Sequence, residues 1–183
     1  MKRSVIAAAV MFMASGVVAR LQAQTADGPK TVSFGVSGGL SVPTGGLADE
    51  VKNGFNVGAH LGMRQPMWPI GLRLDGQLNR FDLKEGTDYI NIIAVSLNAV
   101  LMSPGMTSEL KPYLIAGPSF FHTASYAETG GTQASENNWG FNAGGGLQYQ
   151  LSGFTTFLEA RYNWVKKTGG HDAFVPISVG IMF

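Results

Sequence analysis

Between Thr31 and Val42 the chain alternates, one residue at a time, between two kinds of side chain. Val32, Phe34, Val36, Leu40 and Val42 share one parity, and Gly38 is a gap in that row. Thr31, Ser33, Gly35, Ser37, Gly39 and Ser41 share the other. Successive side chains of a strand point to opposite faces, so a period of two describes a ribbon with one apolar and one small polar face. This pattern excludes an amphipathic helix and limits the chain to β architectures.

The pattern recurs seven times. Phe55, Val57, Ala59, Leu61 and Met63 alternate with Asn56, Gly58, His60, Gly62 and Arg64. Further strands are read from Ile70 to Asn79, Ile93 to Leu101, Pro112 to His122, Trp139 to Leu151, Phe157 to Trp164 and Phe174 to Phe183. In the Pro112–His122 stretch either parity could be the apolar one. We assign Leu114, Ala116, Pro118 and Phe120 to it, which groups Gly117 and Ser119 with the other small residues. Eight strands of about ten residues have the length that crosses a bilayer at a tilt of about 45°.

Composition decides what the polar face meets. Charged residues are 14% of the 183-residue chain, and Gly supplies 25 positions. Soluble domains carry about 25% charge. A strand face turned to water is normally coated with Lys and Glu; here it is largely Gly, Ser, Asn and Gln, with a few charges. The apolar face carries Trp139, Trp164, Tyr89 and Phe55 toward one end and Trp68, Tyr149, Phe34 and Phe183 toward the other. Two aromatic belts bounding an apolar band are what a membrane barrel needs at its two interfaces. Backbone groups find no water in lipid, so the strands must close into a ring.

The N-terminus reads as an export leader: Lys2 and Arg3 precede an apolar stretch from Ser4 to Val18, too short to span as a helix. Cleavage is placed after Ala23, with Ala19 as the rival site, so that residues 1–23 are a signal peptide and 24–183 form one barrel domain. The formal charge of +1 gives no footprint for nucleic acid. With no Cys, disulfides, thiolate metal sites and cysteine nucleophiles are excluded. The connections Gln65–Pro69 and Ser152–Gly153 read as tight turns, and Ser103–Glu109 is intermediate. Pro43–Gly54, Thr123–Asn137 and Lys166–Ala173 read as longer loops, and Asp82–Asp88 as a shorter one. Asp49, Glu50 and Lys52 in the first long loop, and Tyr126, Glu128, Thr129, Thr132, Gln133, Glu136 and Asn137 in the second, are candidates for contact with a partner.

With these segments in view, the chain resembles the small eight-stranded outer-membrane β-barrel family that includes OmpA-like and OmpX-like domains. The likeness runs from Thr31 to Phe183 and is carried by KPYLIAG (Lys111–Gly117), FLEARYNWV (Phe157–Val165) and the ending FVPISVGIMF. The resemblance implies an all-β, antiparallel, up-and-down barrel in the outer membrane of a Gram-negative-type envelope, bathed in lipid, monomeric, and without a cofactor. It also implies a C-terminal assembly signal, Phe183 with Ile181 and Val179, read by the barrel-assembly machinery during insertion.

The candidate chemistry lies on the polar face. His60, Arg64, Arg73, Asp75, Glu159 and Arg161 are its charged or titratable members. Strands three and seven are opposite in an eight-membered ring, whose interior side chains just fill. Glu159 is expected to pair with Arg73 or Arg161, and Asp75 with an Arg, because unpaired buried charge is costly. This reading gives a charge-plugged lumen and a non-enzymatic structural or surface-interaction protein. A narrow pore for small solutes is the alternative. A lipid-modifying enzyme is a third. In lipid A deacylase-like barrels the motif is Phe-x-His-x-Ser; here Phe120 and His122 are followed by Ala124, with Ser125 one residue late. His60 has no metal-ligand partners on its face, and the glycine clusters lack the Lys-Ser/Thr of a phosphate loop.

Overall fold

A computed structural model of the chain describes residues 32–64, 68–103, 110–127, 132–167 and 169–183, with the side chains of 132 and 133 left aside. The expected leader, residues 1–23, lies outside the described residues. Eight strands form a closed, all-antiparallel barrel in chain order: β1 (Val32–Thr44), β2 (Gly54–Met63), β3 (Ile70–Asp82), β4 (Tyr89–Met102), β5 (Leu110–Tyr126), β6 (Thr132–Gln150), β7 (Thr155–Lys167) and β8 (Gly170–Met182). A short helix, α1 (Gly46–Glu50), lies between β1 and β2. The ring closes where β8 pairs with β1, from Gly35 opposite Met182 to Thr44 opposite Ala173.

The assigned faces hold in every strand. Leu40, Leu97, Leu114, Trp139 and Val179 stand out from the wall, Leu114 at 63% and Trp139 at 67% exposure, whereas Asp75, Asn98 and Glu159 are buried inside. Rows of bare apolar side chains outside and buried polar ones inside invert the soluble pattern and fit lipid. Aromatic pairs mark both rims: Phe34 stacks on Phe183 at 5.2 Å, and Phe141 on Trp164 at 5.2 Å.

Glycine sets how closely inner walls approach. A Cβ on Gly146 would lie 2.6 Å from the Tyr113 ring and 2.5 Å from the Leu158 carbonyl oxygen. Gly76, on the outer face, would meet nothing within 4 Å.

Two expectations need correction. The stretches Thr123–Asn137 and Lys166–Ala173 are mostly strand, because β5 and β6 pair up to Tyr126 and Thr132, and β7 and β8 up to Lys167 and Gly170. Beyond the membrane both faces of a hairpin can be polar, so these segments carry no apolar alternation and read as loop. The lumen is also less polar than its small residues suggest. At the end bearing α1, Phe81, Phe121, Phe174, Ile92 and Val165 pack with Leu47 and Val51 into a buried apolar cluster. At the end bearing the chain terminus, Val100, Met102, Tyr113 and Ile115 form a second.

Candidate functional site: the lumenal charge cluster

Inward side chains along β3 run Gly71, Arg73, Asp75, Gln77, Asn79, Phe81, which stacks a charged layer beneath an amide layer beneath an apolar cap. Arg73 reaches across to β7 and donates two hydrogen bonds to Glu159, at 2.8 and 2.6 Å. Its Nε lies 2.8 Å from Asp75 Oδ1. Arg161 closes the square, with Nη1 3.0 Å from Asp75 Oδ2 and Nε 3.0 Å from Glu159 Oε1. Two guanidiniums and two carboxylates thus alternate around a ring, all at most 4% exposed. Planar forks facing carboxylates give charge-assisted, geometrically specific bonds.

Three further residues complete the acceptors' shells. Tyr113 donates its hydroxyl to Glu159 at 2.7 Å, and Asn98 donates to Asp75 at 2.5 Å. His60 Nδ1 sits 2.5 Å from Asp75 Oδ1 while Nε2 meets Ser37 Oγ at 2.8 Å. The amide layer above is knit in the same way: Asn142 donates to Asn98 at 2.7 Å and to Ser119 at 2.9 Å, and Ser178 donates to Asn56 at 2.8 Å.

Of the six residues expected in the lumenal network, five meet there: His60, Arg73, Asp75, Glu159 and Arg161. Arg64 does not. It lies one residue past the end of β2, exposed at the rim. Its parity was right, but the strand ends before it, and a long cation there reaches water. Tyr113, Asn98 and Ser37 were missed as partners, although each falls on the inner parity once the strand facing is fixed. Phe183 and Phe34 exchange backbone hydrogen bonds at 2.7 and 3.2 Å beneath their stacked rings, so the C-terminal residue takes part in closing the barrel. His122 Nδ1 lies 2.7 Å from Asn137 Oδ1 on the outer face. Among the described residues no group of three or more His, Asp or Glu side chains could hold a metal ion.

A closed eight-stranded ring with a lipid-facing apolar wall and a buried ionic layer defines a small outer-membrane β-barrel. The chain matches the outer membrane protein beta-barrel domain family over residues 5–183 and belongs to that family. It is accordingly a protein of the outer membrane of a Gram-negative-type envelope. Among solved structures it is similar to Neisserial surface protein A, at 17% identity and a TM-score of 0.69, over 85% of this chain and 98% of that one. It is also similar to a major outer membrane protein from Thermus thermophilus, at 14% identity and a TM-score of 0.53, over 84% and 99%. These likenesses show the fold. No curated protein matches the chain.

Proposed function

We propose that this is a monomeric, non-enzymatic envelope barrel whose lumen is closed by its own side chains and whose role is structural or surface-interacting. The observation that carries this reading is the Arg73–Glu159 contact, which ties opposite walls together inside the barrel. Asp75 and Arg161 thicken the tie, and the apolar cluster around Phe81, Phe121 and Phe174 covers it. The end bearing α1 and the β5–β6 hairpin faces the outside, and both ends of the barrel chain lie on the periplasmic side. Residues 1–23 act as a removable export leader, and Phe183 with Ile181 and Val179 is read by the assembly machinery.

Ser37, His60 and Asp75 form a hydroxyl–imidazole–carboxylate chain with the connectivity of a hydrolase relay. Asp75 is shared among Arg73, Arg161 and Asn98, and the imidazole is 4% exposed. A relay must present its nucleophile to a substrate; this one is built into the lumenal packing, which favours a structural use.

The test is solute efflux from sealed vesicles containing the folded protein. Retention of trapped ions and small sugars at the rate of protein-free vesicles is expected. Efflux proportional to the amount of protein would replace this reading with the pore.

A further inference from the structure

On β3 to β6 the lipid-facing rows end in polar residues or tyrosine at the α1 end. On β3 the row Leu72, Leu74, Gly76, Leu78 continues to Arg80, and on β4 the row Leu97, Val95, Ile93 continues to Asn91 and Tyr89. On β5 the row through Phe120 continues to His122, and on β6 the row through Trp139 continues to Asn137 and Ser135. Register joins these positions into one patch: Arg80 pairs with Asn91, Tyr89 with Tyr126, and His122 with Asn137. Four adjacent strands give it a width of roughly 15 Å at about 4.8 Å per strand.

We propose that this patch binds the phosphorylated sugar headgroup of an outer-leaflet glycolipid. The Arg80 guanidinium lies 3.8 Å over the Tyr89 ring, and Tyr89 stacks on Tyr126 at 5.1 Å. Stacking holds the fork in place while leaving its edge free to donate. The Arg80 Nε faces Asp82 Oδ1 in a loose ion pair at 3.7 Å, longer than a hydrogen bond, and the two side chains are 41% and 67% exposed. A planar donor fork held at the polar edge of an apolar wall suits a phosphate. Ser135, Asn137 and the His122 imidazole beside it offer hydrogen bonds to sugar hydroxyls, and the Tyr89–Tyr126 stack flanks them with apolar surface. The width exceeds a single phosphoglycerol headgroup, which favours a phosphorylated saccharide. The assignment to the outer leaflet rests on the orientation proposed above.

Calorimetric titration of the folded protein in micelles tests the site, with four probes: a diphosphorylated disaccharide glycolipid, the same lipid with its phosphates removed, phosphatidylglycerol and inorganic phosphate. The intact glycolipid is expected to bind at least tenfold more tightly than the other three. Arg80→Ala should weaken it about tenfold, the loss of one charge-assisted contact. Arg80→Lys and His122→Ala should each weaken it at least threefold, and either suffices should Arg80→Ala fail to fold. Lys111→Ala, at the start of β5 and the opposite end of the barrel from the patch, should leave binding unchanged. Equal binding of phosphatidylglycerol or of free phosphate overturns the glycolipid assignment, and wild-type affinity in Arg80→Lys and His122→Ala overturns the site. Orientation is read separately. The chain has no cysteine, so Glu85→Cys, between β3 and β4, can be labelled on intact cells with an impermeant maleimide. Absent labelling with micellar binding intact overturns the outer-leaflet source and the orientation, not the chemistry of the patch.

Discussion

Arg73 on β3 and Glu159 on β7 meet across the barrel through two hydrogen bonds, at 2.8 and 2.6 Å. In an eight-strand ring β3 and β7 are diametrically opposed, so this pair spans the lumen instead of lining it. Each partner is also held by a second ion pair, Arg73 to Asp75 and Glu159 to Arg161. The two walls are therefore coupled through a ring of four charges, not through a single contact.

Removing one member strands the others. Glu159→Gln leaves Arg73 and Arg161 competing for Asp75 and should destabilise the barrel by about 3–5 kcal/mol if the site is fully dry, less if water enters. Replacing Arg73 and Glu159 together by Met and Leu should cost less than the sum of the single changes, because neither charge is left unpaired. Urea unfolding in lipid vesicles measures both; strict additivity would mean the pair is uncoupled.

Leu97 is 53% exposed on the outer face, while its neighbour Ser96 bonds to Ser119 at 2.8 Å inside. Leu97→Arg should cost about 2–4 kcal/mol near the bilayer midplane. The same unfolding titration should show Leu97→Ala to be much milder, and equal costs would contradict the facing.

Crowding predicts a contrast between two glycines. Gly146→Ala forces a methyl to 2.6 Å from the Tyr113 ring and should destabilise by about 1–3 kcal/mol or block folding. Gly76→Ala meets nothing within 4 Å and should fold as well as the native chain, as judged by the shift in gel mobility between heated and unheated samples.

Phe183 stacks on Phe34 and pairs with its backbone at the barrel seam. Phe183→Asp should lower the amount of barrel in the outer membrane several-fold, with unfolded chain accumulating before insertion. Normal outer-membrane levels would show that the terminal ring is not needed for assembly.

Strand facing was legible because lipid and a packed lumen impose opposite demands on alternate residues, and Leu97 beside Ser96 states both. The opposition of Glu159 to Arg73 was legible from ring geometry alone. What was hidden depended on where the strands stop. Arg64 has the inner parity but falls past β2, and Ala134 to Asn137 continue β6 where no apolar row marks them. The apolar cap was hidden for a related reason. Leu47 and Val51 sit in a connection with no periodicity, and only the closed ring brings them against Phe81 and Phe174. The Tyr113–Glu159 bond needed both the facing of β5 and the space left by Gly146.

Single-channel recording in planar bilayers tests the closed lumen most directly. The native protein should give no steady conductance, and Glu159→Gln, which loosens the tie between β3 and β7, should give more frequent or larger openings. A large, stable native conductance that Glu159→Gln leaves unchanged would contradict the account.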